Sequence, residues 1–280
     1  MNTIEILIPT YNQAHFIIET INSVVNQSFQ EWQLTVVDNN SSDNTVALIK
    51  KKFKLQLKNK KIKIVSYNKT VPVMENFNRC LKIMSACKYF KFLCSDDILE
   101  KNYLKVAFNS LENSGSDIVG FSCSIQNFDN DKIINTRYYG KFIINPYIES
   151  IIYKNQIGCP SSVFLKYSAY KGNFFNTKNN YCGDLLYFIK PLLKLRKKFL
   201  FYDNSLLRVR IHKKTNTSKN FMTMVFLKER FMARKEGFSY TNLNIIVTYL
   251  ICFVLYVLEV IYLILFKMKK FFGNLYKYVV

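Results

Sequence analysis

The first hundred residues alternate short apolar runs with amphipathic stretches. Residues 4–9, 34–37, 62–65 and 89–93 are continuous, β-rich and too short for helices, so they predict strands. Between them, 16–26, 44–53 and 72–86 carry the 3.6-residue spacing of helices with one buried face. Strands and helices in regular alternation predict right-handed crossovers and a doubly wound, mostly parallel α/β sheet. Further on, 117–126 predicts another strand, 127–131 a turn and 132–139 its partner, and alternation over 206–212 predicts a strand with Arg208, Arg210 and His212 on one face.

Ligands of such sheets bind beyond the carboxyl ends of the strands. Three strands here run into polar loops: Pro9-Thr10-Tyr11-Asn12-Gln13, Asp38-Asn39-Asn40-Ser41-Ser42-Asp43, and Ser95-Asp96-Asp97. Two adjacent carboxylates at the end of an apolar strand repel one another unless a cation joins them. Mg2+ or Mn2+ suits such oxygen ligands, and often takes only one or two protein carboxylates beside phosphate oxygens. The plainer alternative is that Asp96 and Asp97 cap a helix starting near Ile98. Asp38 likewise has the alternative of an Asx-turn in its Asn-Ser-rich loop, and Tyr11 that of a packing aromatic.

Taken together, Ile6-Leu7-Ile8-Pro9-Thr10-Tyr11-Asn12, Val36-Val37-Asp38-Asn39-Asn40-Ser41-Ser42-Asp43 and Phe92-Leu93-Cys94-Ser95-Asp96-Asp97 resemble the family 2 glycosyltransferases of GT-A fold, of the bacterial surface-polysaccharide type. The three motifs stand in the family's order and spacing, clearest over the first 125 residues and looser to about residue 216. The resemblance implies that Pro9, Thr10 and Tyr11 pack around base and ribose and that Asp38 accepts a hydrogen bond from uracil. It also implies that Asp96 faces the ribose or sugar and that Asp97 ligates a metal on the diphosphate. Gly158-Cys159-Pro160-Ser161-Ser162 resembles the family's acceptor-side segment.

Inverting transfer also needs a base for the acceptor hydroxyl. Tyr181-Cys182-Gly183-Asp184 resembles the family's general-base region, with Asp184 in the base position and Gly183 where the family usually has an acid. The alternative for Asp184 is a first-turn carboxylate favoured by the helix dipole. Arg208, Arg210 and His212 resemble the Arg-x-His element that closes the donor site, His212 on the metal or phosphates; a solvated basic edge strand is the alternative. His15, at the mouth of the first helix, is expected to be a surface or capping residue.

Charge and hydropathy set the surroundings. Lys plus Arg number 40 against 19 Asp plus Glu, a net +21 that draws polyanions and anionic lipid alike. No helix-turn-helix, zinc-finger or stacking signature accompanies it, so nucleic acid is not the expected partner. Residues 245–266 carry one charge, Glu259, and no Gly or Pro, long enough to cross a bilayer, and Lys267, Lys269 and Lys270 follow among aromatics. With Lys228, Arg230, Arg234 and Lys235 on the other side, an in-plane or re-entrant helix, which keeps both basic clusters on one leaflet, is preferred to a span, and burial against a protein partner is a third possibility. Because residues 1–10 predict a strand, no secretory leader is expected. Seven cysteines without a C-x-x-C pair predict reduced thiols and no structural zinc.

The expectation is therefore a GT-A domain over 1–219 and a membrane-associating helical segment over 220–280, at the cytoplasmic face of a bacterial inner membrane. Its activity would be metal-dependent, inverting transfer from a nucleotide diphosphate sugar, with UDP favoured, to a lipid-linked saccharide in surface polysaccharide or lipopolysaccharide assembly. Two rivals stand beside it. Nucleotidyl transfer normally requires a Gly-rich basic loop where this chain has Pro-Thr-Tyr-Asn-Gln. A membrane-tethered nucleotide-sugar-binding module would keep the core and lack the base.

Overall fold

The computed structural model describes residues 2–138, 143–144, 157–178, 183–212, 223–239 and 244–279. Its first part runs β1 (Asn2–Thr10), α1 (Ile17–Val25), β2 (Trp32–Asp38), α2 (Thr45–Lys52), α3 (Lys54–Lys58), β3 (Ile62–Ser66), α4 (Val73–Ile83) and β4 (Cys87–Phe92). Then follow β5 (Ile98–Leu99), α5 (Tyr103–Glu112), β6 (Ile118–Asp129), β7 (Lys132–Arg137) and β8 (Ile143–Ile144). A 3-10 turn (Pro160–Ser162), β9 (Val163–Lys166), α6 (Tyr167–Tyr170), α7 (Gly183–Leu195), β10 (Lys198–Arg210), α8 (Met224–Phe238) and α9 (Ile245–Val279) complete it.

One sheet orders the strands β3-β2-β1-β4-β9-β6-β10-β5, with β7 beside β6 and β8 beside β10. The four N-terminal strands pair in parallel, as their alternation with helices predicts. Beyond β4 the sheet is mixed: β9 is antiparallel to both neighbours, whereas β6 and β10 run parallel. Alternate side chains feed two cores. Ile4, Ile6 and Ile8 pack with α1 and α5 on one face, and Leu7, Val37 and Phe92 pack with α4 and α7 on the other. Each such side chain contributes about 1.5–3 kcal/mol by leaving water, which makes the parallel half a rigid base for its loops.

Two expectations are corrected. Ile98 begins no helix: Ile98 and Leu99 pair antiparallel with Arg208 and Leu207, and the helix starts at Tyr103. The open edge of β10 offers ladder hydrogen bonds there, and that pairing outweighs the local capping signal. The strand expected over 206–212 is the end of a longer one, Lys198–Arg210, so His212 lies two residues past it. Tyr181, Cys182 and residues 213–218 lie outside the described residues.

α8 and α9 extend from the sheet, yet Leu227, Ala233, Phe238 and Cys252 join the core cluster that contains Phe92 and Tyr187. The 20 residues Ile246–Leu265 have a mean hydropathy of 2.4 and are only 17% buried.

Candidate functional site

The loops after β1 and β2 are tied together. Asn12, at φ 53°, accepts from the backbone N–H of Ser42 at 2.8 Å, and its own N–H donates to Ser41 Oγ at 2.9 Å. Gln13 N–H donates to Thr45 Oγ1 and Ala14 N–H to Asp43. Asn40 also sits at positive φ, 65°, a conformation Asn tolerates better than most residues. Buried Asn39 bridges further: its Oδ1 accepts from Val71 N–H and from Arg79, while Arg79 stacks 4.0 Å over the Tyr67 ring. A rim this well bonded is organised without a ligand.

Within that rim Pro9 and Thr10 are buried, and Thr10 Oγ1 has no hydrogen-bond partner. Tyr11 is exposed at the surface, free of the packing role that was its alternative. Asp38 is buried and both its carboxylate oxygens accept, at 3.3 Å, from Ser41 N–H. The Asx-type contact is thus present, but long enough to leave acceptor capacity for a ligand N–H.

The acidic pair meets the end of β10. Arg210 N–H donates to Asp97 Oδ1 at 3.1 Å, and Arg210 Nε donates to the Asp96 carbonyl oxygen at 3.1 Å. His212 Nε2 lies 3.0 Å from Asp96 Oδ2. The Arg210 guanidinium also pairs with Glu19 of α1, lies 4.6 Å over Phe16, and Phe16 in turn packs on the His212 ring at 5.1 Å. Arg208 shares the strand face and the Phe128 ring with Arg210, but its guanidinium pairs with Glu100 at 2.8 Å, toward a shallow groove lined by Ser23 and Lys101. The expectation that both arginines face the same ligand therefore separates: Arg210 alone touches the acidic loop.

Asp97 is fully enclosed. Burial first, and the neighbouring Asp96 charge second, push its carboxyl well above the usual range, partly opposed by the Ser161 hydroxyl, Arg210 N–H and Lys91. Lys91 sits behind it with no exposure, its ammonium donating to the carbonyls of Phe92 (2.8 Å) and Ser161 (2.9 Å) and lying 4.7 Å over the Tyr103 ring. Burial lowers its pKa to about 8. Ser161 Oγ accepts from Cys94 N–H at 2.8 Å, so the Pro160–Ser162 turn forms the back wall of the acidic loop. Within that segment, expected on the acceptor side, Gly158, Ser161 and Ser162 are buried while Cys159 and Pro160 are partly exposed.

Among the described residues no group of three His, Cys, Asp or Glu stands ready to ligate a metal. The donor set still fits a hard divalent ion held partly by its substrate. Two carboxylates, one disfavoured as an anion by burial beside the other, ask for positive charge; their oxygens suit Mn2+ or Mg2+, and an added imidazole ligand suits Mn2+ better than Mg2+.

Asp184 begins α7, half-buried, and burial raises its carboxyl to about 6. Its Oδ1 accepts from Leu185 N–H at 2.8 Å, the contact of a first-turn acid. One turn along, Tyr187 stacks on Phe175 at 4.0 Å and reaches Phe92, the last residue of β4, at 6.3 Å, which packs α7 against the sheet on the face opposite Ile6 and Ile8. A Cβ on Gly183 would stand 3.1 Å from Met74 Cγ and Sδ and 3.3 Å from the Asn176 carbonyl. Glycine at this place gives α7 a close approach to Met74 of α4 and to the Asn176 carbonyl, so a larger residue would need both to shift by a few tenths of an ångström. Glu19, Phe16 and Lys91 were not legible as site residues; only the position of Phe16 and Glu19 just past the first polar loop pointed toward them. His15 is exposed on the surface as expected.

A family model for glycosyl transferase family 2 matches residues 5–174. The poly(ribitol-phosphate) beta-N-acetylglucosaminyltransferase TarP of Staphylococcus aureus is 30% identical over 175 residues, 56% of this chain and 52% of its own. WfgD of Escherichia coli, a UDP-Glc:alpha-D-GlcNAc-diphosphoundecaprenol beta-1,3-glucosyltransferase, is 33% identical over 143 residues, half of each chain. The chain thus spans about half the length of the curated relatives it matches. Among solved structures, S. aureus TarS 1-349 in complex with UDP-GlcNAc superimposes with a TM-score of 0.69 at 18% identity, covering 89% of this chain and 70% of TarS 1-349. The mannosyltransferase PcManGT of Pyrobaculum calidifontis, in complex with GDP-Man and Mn2+, gives 0.59 at 13% identity, covering 84% and 63%. These likenesses establish the GT-A fold.

Proposed function

The chain belongs to glycosyl transferase family 2, and on that premise we propose that it is an inverting, metal-dependent glycosyltransferase. It takes the sugar of a nucleotide diphosphate donor, UDP-linked, and transfers it to a hydroxyl of a lipid-linked saccharide. The observation that carries this reading is the convergence of Asp96 and Asp97 with Arg210 and His212 at the carboxyl end of β4. Carboxylates and cationic groups brought together at one rim match the two needs of a leaving diphosphate, a metal and positive charge. TarS and PcManGT, of the same fold, bind UDP-GlcNAc and GDP-Man with Mn2+ respectively, and WfgD is named for a diphosphoundecaprenol-linked acceptor.

In this reading Pro9, Thr10 and Tyr11 pack on the nucleoside, the free Thr10 hydroxyl serves a donor oxygen, and Asp38 accepts from the uracil imide. Asp96 orients ribose or sugar. Asp97, with His212, would hold Mn2+ or Mg2+, which when bound offsets the negative charge that grows on the diphosphate. Arg210 shares that task through its guanidinium. Asp184 takes the proton of the acceptor hydroxyl as its oxygen bonds the anomeric carbon and the bond to the diphosphate oxygen breaks; UDP leaves with the bonding pair. A carboxyl raised to about 6 is better matched to this proton transfer than an ordinary one and is still ionised at neutral pH.

The reading divides the chain into a catalytic part, 1–219, and a membrane-associating part, 220–280, at the cytoplasmic face of a bacterial inner membrane. Turnover of a panel of UDP- and GDP-sugars on lipid extracts bearing diphosphate-linked saccharides tests it. A glycosylated lipid formed only with Mn2+ or Mg2+ supports it; tight UDP binding with no transfer from any donor favours a binding module instead.

A further inference from the structure

α8 and α9 form an antiparallel pair, since Lys235 lies over Tyr249, Phe231 packs on Tyr256 and Arg230 reaches Glu259. The single carboxylate of the apolar stretch is clamped: Glu259 accepts from Arg234 at 2.7 and 2.9 Å and pairs with Arg230 at 3.0 Å. Arg234 itself is buried. On its other side α8 is fastened to the catalytic part, through Leu227, Ala233 and Phe238 in the core and through Asn176 donating to Glu236 at 2.7 Å. α9 turns a narrow stripe to α8, with Thr248, Cys252, Glu259 and Leu263 on it, and exposes Ile246, Leu250, Phe253, Leu258, Ile261 and Leu265.

This arrangement decides between crossing the bilayer and lying on it. If Ile246–Leu265 crossed, α8 would be carried alongside into the hydrocarbon with exposed Lys228 and the domain behind it. Releasing α8 instead would strand Glu259 in lipid and leave Arg234 buried without its carboxylate, both costly. Neither cost arises when the helix lies flat: the polar stripe stays on protein and the apolar face meets acyl chains. Exposed Lys228 on α8 and the chain's net charge of +21 favour anionic headgroups.

We propose that α9 is an in-plane membrane helix, held to the catalytic domain by the Arg230/Arg234–Glu259 clamp and seated on an anionic bilayer. This rests on the membrane association proposed above and specifies its geometry. The test reads sidedness, not sugar transfer. The full chain carries an epitope tag after Val280 and is expressed in bacteria; protease is added to spheroplasts and to inverted membrane vesicles. Tag and catalytic domain should both resist in spheroplasts and both be cut in inverted vesicles. A tag cut in spheroplasts while the domain resists overturns the proposal and leaves the transferase reading standing. Purified chain should float with phosphatidylglycerol-containing vesicles about tenfold more than with neutral ones. Failure to float with either overturns membrane seating altogether, again without bearing on turnover measured with detergent-dispersed acceptor.

Discussion

The strands up to β4 and the strands after it reach the site by different routes. In the parallel half, each loop is bonded to its neighbour, Asn12 to Ser42 and Asn39 to Val71 and Arg79, so that rim is organised by many local contacts. In the mixed half, one long strand, β10, and the two residues after it deliver Arg210 and His212 against Asp96 and Asp97 from more than a hundred residues away. The lesson is that the rim of the parallel half is held redundantly, whereas the closing side of the acidic loop hangs on single side chains. Losses from single substitutions should therefore be steepest where one residue of the second half meets the site.

Asp184→Asn should give the largest loss, with kcat reduced by about 10²–10⁴ and KM for the donor within about threefold, by steady-state transfer assays. The same base predicts the pH profile. Because burial raises the Asp184 carboxyl to about 6, kcat/KM should fall as pH drops through about 6, where the base becomes protonated, and level off above it. An unchanged rate in the variant would remove Asp184 from the base role.

Arg210→Met should come next, lowering kcat/KM about 10- to 100-fold, with Arg210→Lys recovering only part because a point charge cannot both hold the Asp96 carbonyl and face a ligand. Lys91→Met probes the seam between the halves. It removes the donor that joins the Phe92 and Ser161 carbonyls, and leaving those unsatisfied should cost about 1–3 kcal/mol of stability in urea unfolding. Arg208→Ala should matter least, changing transfer by no more than about twofold, since its Glu100 pair is partly exposed. A loss at Arg208 as large as at Arg210 would break the distinction between them.

Continuous apolar runs bounded by Pro, Asn and Ser-Asp loops made β1 to β4 and the acidic pair legible in the sequence, because parallel strands are buried on both faces. Ile98 misled because two adjacent Asp residues signal a helix start locally, while the pairing partner that makes it a strand lies at Arg208. The first half of β10 escaped notice since Phe199 to Tyr202 are apolar on both faces and Asp203-Asn204 looks like a turn. Lys91 was invisible for a physical reason. Within an aromatic strand a lysine reads as the solvent-facing position, and only the fold shows two carbonyls and a tyrosine ring enclosing its ammonium. Gly183 looked like a departure from the site pattern; in the fold it gives α7 a tight approach to Met74 that no sequence pattern shows.

The central claim, that the acidic pair with Arg210 and His212 grips a nucleotide diphosphate through a divalent ion, is tested most directly by calorimetric titration of UDP with and without Mn2+, on the wild type and on Asp97→Ala. Mn2+ should tighten UDP binding at least about tenfold in the wild type and leave Asp97→Ala unaffected. Equal affinities with and without the metal in the wild type, or an undiminished metal effect in Asp97→Ala, would contradict it.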